Sequence, residues 1–117
     1  MEQRVETFVV HPESGWSCRG FPGWRVFVGK PARGMMSARG IPLRDLRKTL
    51  EHYDGSWKDD TNRELRIVCN LRYREYLHAI CDIDGREKYI AVKGVWLLPT
   101  IRRIRGDEAT ASTDEAP

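Results

Sequence analysis

The stretch Tyr76-Leu-His-Ala-Ile-Cys-Asp-Ile-Asp-Gly-Arg-Glu-Lys-Tyr-Ile-Ala-Val92 decides the fold. Leu77, Ala79, Cys81 and Ile83 alternate with His78, Asp82 and Asp84, a period of two. Ile90, Ala91 and Val92 restart a strand beyond Asp84-Gly85. An Asp-Gly step between two such runs predicts a β-hairpin, because glycine takes positive φ without steric cost. The chain is therefore partly β, and its C-terminal half acquires a register.

Working back from the hairpin, residues 64–71 place Leu65, Ile67, Cys69 and Leu71 on alternate positions and predict another strand. A helix over 63–80 is the rival, since Leu65, Cys69, Tyr73, Tyr76 and Ile80 also form a stripe. β-branched content and the hairpin that follows favour the strand, with 73–75 as its turn. Forward of Val92 the strand is expected to continue to Leu98, with Gly94 as a bend or bulge and Pro99 as its end. Ile101-Arg-Arg-Ile-Arg105 reads as a short basic segment.

One helix is expected at 42–53. Leu43, Leu46, Leu50 and Tyr53 fall on one stripe, Pro42 suits the first helical position, and Gly55 suits a left-handed residue past the end. Residues 5–10 and 24–28 suit strands. The segment 31–40, with two Ala-Arg-Gly steps, reads as a mobile surface loop, and 56–62 as a polar turn. The order β-β-α-β-β-β predicts an α+β domain over 1–106, a strongly bent antiparallel sheet of about five strands with one main helix. The tail 107–117 is expected to be acidic and disordered.

Fifteen of the 20 basic residues are arginine, and the formal net charge is +3. The tail holds four acids (Asp107, Glu108, Asp114, Glu115) and no base, so the body carries 20 bases against 13 acids, or +7. Such a body favours an acidic partner, either nucleic acid or an acidic protein surface. Met1 to Val10 has no secretory pattern, and Val95-Trp-Leu-Leu98 is far too short to cross a bilayer. No membrane partner and a cytoplasmic setting are expected. The three cysteines, odd in number and unrelated in spacing, are expected to be reduced thiols.

Neither a phosphate-binding Gly-x-x-x-x-Gly-Lys-Ser/Thr nor a dinucleotide Gly-x-Gly-x-x-Gly that opens a helix is present. Cys18, Cys69, Cys81, His11, His52 and His78 show no paired metal-ligand spacing, so no metal and no cofactor are expected. Cys18 stands beside Arg19, which could lower its pKa, but no histidine is placed to act as its base. Cys69 and Cys81 are expected on the apolar face of the sheet as small hydrophobes.

The hairpin also carries a resemblance. Tyr76-Leu77-x-Ala79-x-Cys81, then Asp84-Gly85-Arg86 and the strand to Val95, resembles the hairpin of WYL domains, over about twenty residues. The resemblance implies a small Sm/SH3-like barrel of bacterial regulators that sense nucleic acids or nucleotides. It also implies a basic ligand-facing surface, with Arg72, Arg74, His78 and Arg86 as local candidates. The chain departs from the family where Glu75 stands in place of the tryptophan, and where Glu87-Lys88-Tyr89 replaces an Arg-x-Phe pattern.

The function expected is a small non-enzymatic binding or regulatory protein. Its arginine-rich surface would engage nucleic acid or a nucleic-acid-handling protein complex. Arg19, Arg25, Arg33 and Arg39 form one candidate edge, Arg44, Arg47 and Lys48 a second, and Arg102, Arg103 and Arg105 a third, with Arg72 and Arg74 beside them. Trp16 and Phe21 are candidate stacking platforms, while Trp24 and Phe27 are expected in the core. One alternative is a phage or mobile-element inhibitor that binds a host defence or nuclease protein. Another is a ribonuclease toxin built on Arg72, Tyr73, Arg74, His78 and Lys93. An unpaired sheet edge would offer a route to a homodimer.

Overall fold

The computed structural model describes residues 11–100. The elements are β1 (Arg25–Val28), α1 (Lys30–Arg39), α2 (Leu43–His52), β2 (Gly55–Asp59), β3 (Glu64–Arg72), β4 (Glu75–Asp84) and β5 (Tyr89–Leu98). The strands form one sheet in the order β1-β5-β4-β3-β2, not closed into a barrel. The α+β class and the five strands hold. The expected strand at 5–10, the segment 101–105 and the tail 107–117 lie outside the described residues.

The sheet is mixed rather than wholly antiparallel. The meander β2 to β5 is antiparallel throughout, but β5 pairs parallel with β1, Val26 opposite Ile90 and Val28 opposite Val92. Parallel neighbours need a long connection. Here α1 and α2 carry the chain to the far edge, and the meander then returns beside β1.

Both helices lie on one face. Their Ala32, Met36, Leu46 and Leu50 join Val26, Val28, Leu65, Ile67, Leu77, Ala79, Cys81, Ile90, Val92 and Val95 in a single core. A bulge keeps that pattern in phase. Ile80 faces Gly94 and Cys81 faces Val92, so Lys93 is an extra residue on β5. Core positions on the helix side consequently step from Val92 to Val95, and Gly94 is buried on the other face. The rival helix over 63–80 does not form, since β3 and β4 pair across the whole stretch.

The 31–40 segment is α1, not a loop. Gly29 precedes it in extended conformation, a proline stands in its first turn, and Gly40 ends it at φ 69°. Gly40 N–H donates to Ser37 O and Ile41 N–H to Met36 O, closing the last turn. Its buried face is only Ala32 and Met36, too sparse to register as a stripe. The 56–62 turn is also corrected, because 55–59 is the polar edge strand β2. Gly55 lies in that strand, and α2 ends at Tyr53 in extended rather than left-handed geometry.

Within α2 the buried residues are Asp45, Leu46, Thr49 and Leu50, while Leu43 is exposed and Pro42 is the N-cap. Thr49 satisfies its hydroxyl by donating to Asp45 O at 2.9 Å. The hairpin closes as expected but by other chemistry. Its loop runs from Gly85 to Lys88, and Lys88 takes the left-handed conformation at φ 57°. The Asp84 carboxylate accepts from the backbone N–H groups of Arg86 and Glu87, which holds its pKa below the usual range.

The face of the sheet away from the helices carries Phe27, Trp57, Arg66, Val68, Tyr76, His78, Ile80, Tyr89 and Trp96. Phe27 is therefore not a core residue of the helix side. It meets Tyr89 edge-on at 5.6 Å, with the Arg25 guanidinium 5.7 Å from its ring. Val68 and His78 are buried at the centre of this face. His78 Nε2–H donates to the carbonyl of Thr100 at 2.9 Å, fixing the chain just after β5.

Candidate functional site

The sequence-predicted cations fall into two groups, those consumed by the fold and those left for a partner. Arg19 lies 5.3 Å over the Tyr53 ring and donates to Tyr53 O, while the Tyr53 hydroxyl donates back to Arg19 O at 2.8 Å. Arg47 reaches Glu51 and the Gly15 carbonyl, each at 3.0 Å, and so ties the 11–24 loop to α2. Arg33 pairs with Glu13 and donates to Val28 O. Arg25 donates to Glu87 O at 3.1 Å. Arg19 thus sits in the 11–24 loop, Arg25 on β1, and Arg33 and Arg39 on α1. Among the described residues Arg39, in the last turn of α1, makes a single long bond, to Met35 O.

The aromatic candidates Trp16 and Phe21 are half-buried and pack against the core together with Trp24. Phe21 and Trp24 meet edge-on at 4.9 Å. They hold the N-terminal loop to the domain, and most of their surface is already covered.

A different end of the molecule gathers the remaining features. The β3–β4 turn is Arg72-Tyr73-Arg74-Glu75, with Arg74 at φ 57°. Reversal in so few residues forces Tyr73 to the apex, where it is 87% exposed. The turn is braced from three sides. Asn70 Nδ2 donates to Arg72 O at 2.8 Å and to Glu75 O at 3.3 Å. Arg72 Nε donates to Glu75 at 2.8 Å, and its Nη2 donates to Asp45 Oδ2 at 3.3 Å. That last bond docks the turn on the first turn of α2. These carboxylates, Glu75 first, raise the pKa of the Arg72 guanidinium further.

Leu43 and Arg44 immediately precede Asp45, and Lys48 follows Arg44 by one helical turn on the exposed side of α2. Arg44, Lys48 and Arg74 have no ion pair or side-chain hydrogen bond among the described residues. This end thus presents Arg44, Lys48, Arg72 and Arg74 against the carboxylates of Asp45 and Glu75, both held by Arg72, and of Asp54, which accepts from the Asn70 N–H at 2.7 Å. Its apolar component is equally distinctive. Among the described residues the exposed large hydrophobics are Leu43, at 39%, and Tyr73. β5 also ends here, since Leu98 lies opposite Tyr76. Arg102, Arg103 and Arg105 follow but lie outside the described residues.

The set Arg72, Tyr73, Arg74, His78 and Lys93 does not share one centre. His78 is buried beneath the outer face, and burial lowers its pKa, opposed in part by its bond to Thr100. Lys93 bridges Asp82 at 2.9 Å and Glu64 at 3.0 Å, carboxylates that face each other across β3 and β4. Glu64 lies eight residues before Arg72, about 27 Å along an extended strand. Arg86 is in the β4–β5 loop, at the opposite end of the sheet from the β3–β4 turn.

Cys18, Cys69 and Cys81 are free and buried. Burial pushes the Cys18 thiol up to about 12, so Arg19 beside it does not produce a thiolate. The same cause raises Cys69 and Cys81. Among the described residues no cluster of three or more His, Cys, Asp or Glu has the arrangement to hold a metal ion. No helix there is long and apolar enough to cross a membrane.

Sequence reasoning placed Arg44, Lys48, Arg72 and Arg74 among the candidates but assigned Leu43 to the core and Tyr73 to a different role. The available signal was Tyr73 itself, an aromatic inside a tight turn, where it has no strand face to bury. No protein-family model, curated protein or solved structure matches this chain.

Proposed function

We propose that this protein is a small binding protein that engages nucleic acid through the end formed by the start of α2 and the β3–β4 turn. The observation that carries this reading is the grouping there of Arg44, Lys48 and Arg74, without an ion pair or side-chain hydrogen bond among the described residues, with an exposed Tyr73. Arginines paired inside the fold have little to offer a phosphate. Unpaired ones on rigid elements gain charge-assisted hydrogen bonds and release condensed counterions. Arg72, fixed by Asp45 and Glu75, sets the geometry and adds its charge.

The test is anisotropy of fluorescein-labelled 12-nucleotide DNA and RNA, single-stranded and duplex, from low to physiological salt. A triple Arg44→Ala, Lys48→Ala, Arg74→Ala variant should bind more weakly. Its salt slope should be shallower by roughly 2, at about 0.7 per lost phosphate contact. Arg25→Gln and Arg33→Gln, in cations that the fold already uses, should change little. Unchanged affinity in the triple variant would overturn the assignment.

Leu43 favours a second reading, a complex with an acidic protein surface. An exposed leucine contributes nothing to phosphate binding, whereas tyrosine and arginine are typical anchors of protein interfaces. Failure of every oligonucleotide to bind, with a stable one-to-one complex formed on a protein of the nucleic-acid machinery, would support it.

A further inference from the structure

We infer that Tyr73 is a stacking platform for an unpaired base, so that the preferred ligand is single-stranded nucleic acid. This inference rests on the nucleic-acid reading and adds the strand state of the ligand.

Three observations support it. First, Tyr73 contributes almost nothing to the fold, for at 87% exposure its ring leaves both faces open to solvent. Second, the backbone that carries it is held rigidly. The two bonds from Asn70, the Arg72–Glu75 pair and the Arg72–Asp45 link all converge on the four-residue turn. A turn braced in this way fixes the direction in which the Tyr73 side chain leaves the backbone, which removes the backbone part of the ordering cost of binding. Third, cations flank the ring on both sides in sequence, Arg72 and Arg74, with Arg44 on the helix that Arg72 grips. A base stacked on the ring would bring its flanking phosphates towards Arg74 and Arg44, the two of these guanidinium groups with no ion pair among the described residues, while Arg72 holds the turn in place.

Strand state follows from geometry. A ring at the apex of a narrow turn needs the face of a base, and a duplex keeps those faces stacked inside. Single strands offer them freely, and stacking is tolerant of base identity because every base has a π face. The aromatic residues on the outer face of the sheet do not compete for this role. They are half-buried, and the nearby cations Lys93 and Arg25 are already engaged by Asp82, Glu64 and Glu87.

The experiment compares Tyr73→Ala, Tyr73→Trp and Tyr73→Leu for binding to a fluorescein-labelled oligo-deoxythymidylate 12-mer and to a 12-base-pair duplex, at one physiological salt concentration. The exposed position makes all three variants fold like the parent, and circular dichroism checks this. The alanine and leucine variants should bind the single strand about 5- to 150-fold more weakly, the range expected for one lost stack. The tryptophan variant should match or exceed the parent and show quenching of its indole on binding. Duplex affinity should change less than about twofold. Full single-strand affinity in the alanine variant, or an equal loss on the duplex, would overturn the stacking role while leaving the cationic interface standing. Absence of binding by the parent to either probe would overturn both.

Discussion

Replacing Gly94 by alanine tests how the exposed side of the sheet is built. An ideal Cβ at this position would lie 2.6 Å from Cη2 and 2.8 Å from Cζ3 of Trp96, whose indole folds back over the glycine two residues before it. Carbon atoms in comfortable contact are about 3.5–4.0 Å apart. The ring must therefore shift by roughly 1 Å or swing away. Overpacking of this kind costs about 1–3 kcal/mol. Alanine in a strand regains ~0.5–1 kcal/mol over glycine. The net loss then lies between about 0 and 2.5 kcal/mol and centres near ~1 kcal/mol, a fall in Tm of roughly 4–8 °C at the centre for a domain of this size. Urea denaturation followed by far-UV circular dichroism measures it. In a Trp96→Ala background the ring is gone, and Gly94→Ala should become neutral or stabilise by ~0.5–1 kcal/mol. The reasoning is refuted if Gly94→Ala has the same effect in both backgrounds, because the clash with the Trp96 ring exists in only one of them. Gly34 is the control. It lies within α1 with no atom within 4 Å of its Cβ position, so Gly34→Ala should stabilise by about 0.5–1 kcal/mol.

Two further predictions concern buried groups. Burial lowers the pKa of His78 below its ordinary 6.5, so above that pH both folded and unfolded chains hold it neutral. Below it the unfolded chain takes up the proton first, and stability should fall as pH drops from about 6.5 towards the lowered folded value. The urea midpoint should show this decline in the parent, and the decline should shrink in His78→Asn. Cys18, Cys69 and Cys81 should resist a thiol reagent in the native protein at pH 8 and react together on unfolding. Rapid labelling of Cys18 in the folded state would contradict the packing of the 11–24 loop.

Much of the fold was legible because the meander repeats one rule. Leu65, Ile67 and Cys69 on β3 and Leu77, Ala79, Cys81 and Ile83 on β4 alternate cleanly, and all are buried on the helix side. The losses came where burial is sparse. α1 buries only Ala32 and Met36, so Pro31 and Gly40, its punctuation, were the sole cues. β2 is an edge strand of polar residues, and its place in the sheet comes from pairing with β3. The hairpin is legible in Asp84-Gly85, but its closure rests on Lys88 and the Asp84 carboxylate rather than on the glycine. At the candidate site, charge could be counted from sequence but pairing could not. Arg33 and Arg47 look as available as Arg44 until Glu13, Glu51 and Gly15 are brought beside them.

The most direct measurement is the amide and indole 1H–15N spectrum of the labelled protein, titrated with an unlabelled oligo-deoxythymidylate 12-mer at physiological salt. The account predicts shifts concentrated at 43–48 and 70–76, with the indole signals of Trp57 and Trp96 on the outer face unmoved. Shifts centred on those two indoles or on the 84–88 loop, or a spectrum unchanged at saturating oligonucleotide, would contradict it.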